Sequence, residues 1–302
     1  MSDVRTTQAR IAAQVVGRER ELELVLAAVA AGRDILLEGA PGTSKTTMLK
    51  AITAEWGLPL LLVEGNADLT PTKLIGHHPP SLVLREGYTT DNFVAGPLAE
   101  AMQRGGFLYI EELNRAPDDT LNTLLMAMAD REIVVPRFGK VTAKPTFRVI
   151  GSMNPFDNVG TTRLSASILD RFCRLVVDYQ DEHAEREVVR RRAPTSMADR
   201  LLAPLVVDAV RAVRATRVHP DVRMGSSVRG AIDLVHVADQ LCALRDVTYP
   251  VDAGYPAVVL DAMLVALSAR IHVDEAAERT AEDVLREIWH DLGERSAPAA
   301  PG

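Results

Sequence analysis

The sequence is poor in cysteine, in aromatic side chains and in long apolar runs. Its two cysteines, Cys173 and Cys242, lie far apart without C-x-x-C spacing, so neither a disulfide framework nor a zinc site is predicted. Aromatic residues make up 4% of the chain and the net charge is −7, which argues against a surface devoted to nucleic acid. No apolar run approaches the length of a membrane span, and the N-terminus lacks the apolar region of a signal peptide. We therefore expect a cytoplasmic protein with no membrane span and no nucleic-acid partner.

The first part of the chain alternates apolar runs with helical segments, which predicts an α/β domain with a mostly parallel sheet over residues 1–180. One helix, over residues 18–31, is expected before the first strand at residues 35–37. Two segments are predicted to be β-hairpins inserted into this pattern because short apolar runs flank a glycine. Further strands are expected in LPLLLVEG, GFLYIEEL, FRVIGSMN and RLVVDY, and the hairpins in SLVLREGYTTDNFVAG and REIVVPRFGKVTAKP.

The second part of the chain, residues 181–295, reads as a separate all-helical domain. Its main helices are expected at residues 201–216, 227–244 and 255–272. The tail over residues 296–302, SAPAAPG, has too few apolar residues to pack and is expected to be disordered.

The stretch LLEGAPGTSKTTML follows the first predicted strand and opens a predicted helix, which is the setting of a phosphate-binding loop. Small residues there allow backbone N–H groups to approach a triphosphate closely, Lys45 can reach the outer phosphates, and the Thr46 hydroxyl is placed to bind magnesium. The expected nucleotide-binding residues of this stretch are Gly39, Pro41, Gly42, Thr43, Ser44, Lys45, Thr46 and Thr47.

Ser44 breaks the usual motif, because phosphate-binding loops normally have glycine before the lysine. The serine keeps its backbone N–H but adds a Cβ, which narrows the accessible backbone conformations without removing a hydrogen-bond donor. Taken alone, the stretch could also be a glycine-containing turn before an ordinary helix.

Two carboxylates follow the strand FLYI, at the end where a central strand would emerge beside the phosphates. Glu111 would hold Mg²⁺ through water, and Glu112 would polarise the water that attacks the γ-phosphoryl group. Asn154, after the strand of VIGSMNP, could hold the same water without adding a negative charge. A solvated strand end is the alternative reading of the two acids, and the conjunction with the loop favours the catalytic one.

Together these motifs resemble those of the MoxR family of AAA+ ATPases over nearly the whole chain. The resemblance implies an AAA+ αβα domain followed by a helical lid, and an ATP- and Mg²⁺-dependent homo-oligomer, commonly a hexameric ring, that remodels a client. A protein with a von Willebrand factor A domain is the implied partner. The matching motifs are VVGRERELELVLAA, LLEGAPGTSKTT, FVAGPLAEAM, EELNRAP, AMADREIVV, VIGSMNP and LSASILDRF.

The resemblance also assigns roles by position. Val16 and Gly17 would border the adenine, Glu111 and Glu112 would be the Walker B acids, and Asn154 would be the sensor 1 residue. Glutamate at position 111 departs from the usual aspartate and reaches one methylene further toward the metal.

Two arginines are assigned in the same way. Arg171 matches the arginine finger that reaches the γ-phosphate of the neighbouring subunit, so hydrolysis would depend on assembly. Arg229 matches sensor 2 on the lid, although Val228 replaces the proline that the family usually has before it. Arg115, directly after the acids, could bridge to a neighbour or cap the following helical region.

Three functions remain open from the sequence. An ATPase that acts as a chaperone-like motor is favoured, with the inserted hairpins as expected client or pore contacts. The alternative is a nucleotide-gated scaffold with little or no turnover, for which Ser44 and Glu111 would be signs of relaxed catalysis. A DNA motor is disfavoured by the acidic composition.

Overall fold

A computed structural model describes residues 4–12, 14–154, 164–193, 199–248 and 252–296. The chain divides into two compact units, with the boundary between Asp178 and Tyr179. In chain order, the elements of the first unit are α1 (Val4–Ala12), α2 (Glu19–Ala30), β1 (Asp34–Glu38), α3 (Lys45–Trp56), β2 (Leu60–Glu64), α4 (Pro71–Ile75), β3 (Gly76–His77), α5 (Pro80–Glu86), β4 (Val94–Ala95), α6 (Pro97–Arg104), β5 (Phe107–Glu111), α7 (Asp118–Asp130), β6 (Glu132–Val135), β7 (Gly139–Thr142), β8 (Arg148–Met153), α8 (Ala166–Leu169) and β9 (Phe172–Val176).

The main sheet of the first unit is parallel, with the strand order β2-β5-β8-β1-β9. Its central strands are apolar runs because both faces of the sheet are covered. In β5, Leu108 and Ile110 face one hydrophobic cluster, while Phe107 and Tyr109 face the other. The carboxyl ends of parallel strands meet at one edge, so the segments that follow β1, β5 and β8 are brought together there.

The strand predictions for the main sheet are confirmed, and so is the hairpin of β6 and β7, which pair antiparallel. The other predicted hairpin is wrong, because residues 80–86 form the helix α5. Pro80 lies in the first turn of this helix and Gly87, with φ of 74°, ends it, which are helix signals. The strand β4 exists, but its partner is β3, before α5.

An unpredicted helix, α1, precedes α2, so the expectation of one helix before the first strand is also wrong. It packs through few residues: Thr7 and Ile11 are its buried side chains. Trp56 Nε1, at the end of α3, donates a hydrogen bond to Thr7 Oγ1 at 3.0 Å. So short an apolar face leaves little periodicity in the sequence.

The second unit contains α9 (Glu182–Arg192), α10 (Asp199–Val218), β10 (Val222–Met224), α11 (Val228–Arg245), α12 (Tyr255–Leu267), β11 (His272–Val273) and α13 (Ala281–Ser296). Its helices enclose one hydrophobic cluster that includes Leu234, Val258 and Val284.

The prediction of an all-helical second domain needs two corrections. The strands β10 and β11 form a small antiparallel pair, and α12 ends at Leu267 rather than at residue 272. Strands of two or three residues between helices are too short to show a period of their own. Residues 297–302 of the predicted disordered tail lie outside the described residues. In the described part of the chain, no helix combines the length and apolarity that crossing a membrane requires.

Candidate nucleotide-binding site

The loop between β1 and α3 is held against the ends of two neighbouring strands. Gly39 N donates a hydrogen bond to Met153 O at the end of β8, at 3.0 Å. A Cβ on Gly39 would lie 2.1 Å from Val177 O, just beyond β9, so only glycine fits at this position. Gly42 has a φ of 78°, which glycine adopts without strain.

Ser44 occupies the left-handed region, with φ of 67° and ψ of 16°. A residue with a Cβ pays roughly 1–2 kcal/mol for this conformation, which explains why glycine is usual at this point of such loops. The serine still performs its backbone role, since its carbonyl oxygen accepts from Met48 N at 3.0 Å in the first turn of α3. Serine in place of glycine therefore adds backbone strain at this position, while the hydrogen bond that opens α3 is still formed.

Lys45 lies inside the curve of the loop. Its Nζ donates to Gly39 O and Ala40 O, both at 2.8 Å, and to Thr43 Oγ1 at 3.2 Å. Thr43 is buried, and its hydroxyl in turn donates to Ala40 O at 3.0 Å. These bonds hold the ammonium group at the start of α3, where the helix N-terminus also favours anions.

The two residues predicted to bind magnesium are in direct contact. Thr46 Oγ1 donates a hydrogen bond to Glu111 Oε1 at 2.5 Å. Tyr109 and Glu111 alternate with Ile110 along β5, so both project toward the face that α3 covers. Burial raises the pKa of the Tyr109 phenol, which stays neutral and donates to Ser152 Oγ at 3.1 Å.

This donor set fits Mg²⁺, which prefers hard oxygen ligands and keeps several waters. A hydroxyl and a carboxylate oxygen stand side by side next to a loop shaped for phosphates. Across the described ranges, no group of three or more His, Cys, Asp or Glu side chains is arranged to hold a metal ion, so a metal here would depend on the hydroxyl, the carboxylate and the phosphates together.

Glu112 follows directly in a tight turn, with φ of 53° and ψ of 46°. The turn is pressed by the chain after β2, because a Cβ on Gly65 would lie 2.4 Å from Glu112 O. The Glu112 carboxylate forms an ion pair with Arg115, with Nε 3.0 Å from Oε2, and is 44% exposed. Arg115 is thus engaged within its own chain, with the predicted general base.

Asn154 directly follows β8 and is half-buried. Its neighbour Met153 accepts from Gly39, so the end of β8 touches the start of the loop. The structure therefore brings the loop, Glu111, Glu112 and Asn154 to one edge of the sheet.

Comparison with known proteins supports the same reading. The AAA domain of the dynein-related subfamily matches residues 34–172. An uncharacterized protein of Staphylococcus epidermidis is 30% identical over 210 residues, which covers 68% of this chain and 78% of that protein. Chaperone MoxR1 of Mycobacterium tuberculosis is 26% identical over 279 residues, 82% of this chain and 71% of MoxR1. The chain belongs to the MoxR-like family of AAA+ proteins.

Two further comparisons concern the length of the match and the fold. The uncharacterized protein YojN of Bacillus subtilis is 34% identical over 169 residues, and the chain matches 55% of its length. A Cytophaga hutchinsonii protein of known structure superimposes with a TM-score of 0.54 at 21% identity, covering 99% of this chain and 95% of that one. The predicted family and the AAA+ fold class are confirmed.

In this MoxR-like chain, Arg171 lies far from its own phosphate-binding loop. It precedes β9, whose first residue, Phe172, pairs with Asp34 at the start of β1, whereas the loop follows the other end of β1. The five-residue strand separates the two edges by roughly 13 Å at 3.3 Å per residue. The Arg171 side chain is 44% exposed, with Asp170 Oδ2 3.8 Å away.

Of the remaining predicted residues, two belong to the first unit and one to the second. Val16 and Gly17 precede α2 in the first unit, and Gly17 has a φ of 63°. Arg229 is an exposed residue in the first turn of α11, in the second unit. Sequence reasoning missed Tyr109 and Ser152, since neither belongs to a motif and only strand alternation would have placed Tyr109 beside Glu111.

Proposed function

We propose that this protein binds and hydrolyses ATP with Mg²⁺ and uses the reaction to remodel a partner protein. We further propose that it works as an assembly of identical subunits, a hexameric ring as the family resemblance implies. The observation that carries the proposal is the contact between Thr46 and Glu111 beside a loop that is folded around Lys45. Residues 1–180 would form the nucleotide-binding domain and residues 181–295 the lid. The low cysteine content fits a reducing compartment such as the cytoplasm.

The residues of the loop edge would divide the work between binding and chemistry. The loop N–H groups and Lys45 would hold the phosphates, Thr46 and Glu111 would hold the metal, and Val16 and Gly17 would border the adenine. Magnesium, when bound, supplies charge neutralisation at the phosphate oxygens. The complete loop set proposed for binding is Gly39, Pro41, Gly42, Thr43, Ser44, Lys45, Thr46 and Thr47.

Glu112 and Asn154 would orient the attacking water, and Glu112 would accept its proton. Arg171 would act on the nucleotide of a neighbouring subunit, because its own strand carries it to the opposite edge of the sheet. Arg229 would sense the γ-phosphate from the lid.

The exposed insertions are the surface we propose for the client. The hairpin of β6 and β7 packs against the segment that follows α5 through aromatic contacts. Arg137 Cζ lies 4.0 Å from the centroid of the Tyr88 ring, and the ring centroids of Phe93 and Phe138 are 4.4 Å apart. Val134 on the hairpin is 71% exposed. We propose a protein with a von Willebrand factor A domain as the partner, as the family resemblance implies. The remodelling role is supported by the name of the relative MoxR1, which is called a chaperone.

A second candidate function is the nucleotide-gated scaffold with little turnover. The observation in its favour is the ion pair of Glu112 with Arg115, which directs the proposed base toward a cation of its own chain.

ATP turnover as a function of protein concentration, with sizing in the presence of ATP, separates the two. Turnover per subunit that rises with assembly supports the motor. An assembly that binds ATP and turns it over no faster than Glu112→Gln supports the scaffold.

A further inference from the structure

The Tyr109 side chain is buried beside the two residues proposed to hold magnesium. It is 1% exposed and belongs to the same hydrophobic cluster as Met48 and Ile52 of α3. A phenylalanine ring would fill this place in the cluster equally well, and a buried hydroxyl lowers stability unless it is hydrogen-bonded. The contacts of the hydroxyl therefore decide what Tyr109 contributes beyond packing.

These contacts place the Tyr109 hydroxyl in a small polar cluster. It donates to Ser152 Oγ at 3.1 Å, and both side chains are buried. Burial is the main cause that raises the pKa of the phenol, and hydrogen bonds of the hydroxyl with Ser152, Thr46 and Glu111 also act on this pKa. Thr46 and Glu111 are in turn hydrogen-bonded to each other. One buried hydroxyl thus interacts with both residues proposed to hold the metal.

The position of Tyr109 in the sheet connects this cluster to β8. Tyr109 pairs with Ile150 in the parallel strands β5 and β8. Glu111 lies two residues after Tyr109 and therefore on the same face of the sheet. Ser152 lies two residues after Ile150, on that face as well, and Asn154 follows two residues later. The bond from Tyr109 to Ser152 therefore joins the strand that ends in Glu111 to the strand that leads to Asn154.

Glutamate at position 111 makes a support of this kind necessary. Its side chain has one more rotatable bond than that of aspartate, so more conformational entropy is lost when its carboxylate is fixed. Mg²⁺ requires near-ideal octahedral geometry and tolerates a loosely held ligand poorly. Groups that hydrogen-bond metal ligands fix the orientation of those ligands, and loss of such a group typically costs about 10–100-fold in metal affinity or activity.

We propose that Tyr109 is a positioning residue that holds the Thr46–Glu111 pair in the geometry of a magnesium site and ties this pair to the strand that leads to Asn154. It acts through Thr46 and Glu111 and binds neither metal nor nucleotide itself. The role of the metal rests on the proposed function. The connection among the three side chains does not.

The magnesium dependence of nucleotide affinity tests the proposal. Tyr109→Phe keeps the ring and removes only the hydroxyl. The affinity of the full chain for a non-hydrolysable ATP analogue is measured by isothermal titration over a series of Mg²⁺ concentrations and with a chelator. We expect the Mg²⁺ concentration that gives half of the full effect on affinity to rise about tenfold in the variant. The affinity in chelator should equal that of the wild type, because the phosphate-binding loop is unchanged.

Tyr255→Phe is the matched control. Tyr255 is a second buried tyrosine, and its hydroxyl donates to Asp208 Oδ2 at 2.8 Å within the second unit. This variant loses a buried hydroxyl of the same kind and should keep the magnesium dependence of the wild type. Ser152→Ala removes the other end of the Tyr109 bond and should change the magnesium dependence in the same direction as Tyr109→Phe. It serves if Tyr109→Phe does not fold.

Urea unfolding without nucleotide or metal gives a second readout. The two tryptophans are Trp56 and Trp289, so a Trp289→Phe background leaves Trp56 as the fluorescent reporter of the first unit. We expect the midpoint shift of a Tyr109→Phe/Thr46→Val double variant to differ from the sum of the two single shifts, because side chains in one hydrogen-bond network do not contribute independently. The shifts of Tyr255→Phe and Thr46→Val should add.

Wild-type magnesium dependence in folded Tyr109→Phe and Ser152→Ala would overturn the proposal, as would an equal change in Tyr255→Phe. Additive midpoint shifts for Tyr109→Phe and Thr46→Val would overturn it as well. If nucleotide affinity ignores Mg²⁺ in the wild type while these shifts are non-additive, the connection among the side chains stands and the proposed magnesium-dependent function fails.

Discussion

Thr46 Oγ1 donates a hydrogen bond of 2.5 Å to Glu111 Oε1, which joins the first turn of α3 to the last residue of β5. The contact connects the phosphate-binding loop to the acidic strand end without any other residue between them. Both oxygens are hard ligands, so we propose that the pair would bind one divalent cation beside the phosphates.

Thr46→Val should therefore remove the effect of magnesium on nucleotide binding. The valine has nearly the shape of threonine but neither donates to Glu111 nor binds a metal. We expect ATP affinity in the variant to be the same with Mg²⁺ and with a chelator, while wild-type affinity falls on chelation. Isothermal titration in both conditions measures this.

Thr46→Ser is the control for that experiment because it keeps the hydroxyl. It should retain the magnesium dependence. Equal magnesium dependence in the valine variant would show that Thr46 is no ligand.

Ser44→Gly should stabilise the first unit. The left-handed conformation at φ of 67° costs a residue with a Cβ roughly 1–2 kcal/mol, partly offset by the greater freedom of glycine in the unfolded chain. We expect a net gain of about 0.5–1 kcal/mol in the free energy of unfolding, seen as a higher urea midpoint. Ser44→Ala has the same Cβ and should stay close to the wild type, so equal midpoints for the glycine and alanine variants would contradict the strain argument.

Glu112→Gln and Arg171→Ala should each abolish turnover while leaving ATP binding intact. Loss of a general base typically costs 10²–10⁴-fold, and an arginine finger about 10³–10⁵-fold. A mixture of the two variants should regain activity, because a subunit with Glu112 can then meet a neighbour with Arg171.

For random mixing in equal amounts, about a quarter of the sites would be intact by this sharing of catalytic groups between subunits. The measurement is phosphate release at constant total protein, with each variant alone as the baseline. A mixture no more active than its components would place both residues in one subunit's site and contradict the shared-site proposal.

Val134→Ser should weaken the response to a client without changing the fold. Its side chain is 71% exposed on the β6–β7 hairpin, and substitutions at such surface positions usually change stability by less than about 0.5 kcal/mol. We expect stimulation of turnover by a von Willebrand factor A domain partner to fall severalfold with basal turnover retained.

Val218→Ser, at an 83% exposed valine of the second unit, is the matched control. Full stimulation of the Val134→Ser variant, or an equal loss in the control, would remove the hairpin from the proposed client surface.

Much of the fold follows from the sequence because strands covered on both faces are continuous apolar runs, as in β1 and β5. The helix α5 could not be identified by periodicity, since none of its residues is buried and its apolar residues, Leu82, Val83 and Leu84, are consecutive instead of spaced along one helical face. The pair of β10 and β11 was missed for a different reason, because two or three residues do not define an alternation.

The candidate site also has features that the sequence predicts and features that it does not. The loop and the acids are predictable, because topology takes the carboxyl ends of parallel strands to one edge. The ion pair of Glu112 with Arg115 is not, since it depends on the left-handed turn at Glu112 and on where the Arg115 side chain then points. The strain at Ser44 likewise needed the backbone angles, although the absence of glycine indicated the position.

The length of β9 fixes the distance between Arg171 and the phosphate-binding loop. The arginine and the loop lie at opposite ends of two paired strands, so the register of Phe172 with Asp34 sets the distance between the phosphate-binding edge and the arginine that we propose acts on the next subunit. A single inserted residue in β9 would turn every following side chain to the other face. Insertions and deletions should therefore be rare in this strand among relatives that keep hydrolysis, even where its surface residues vary freely.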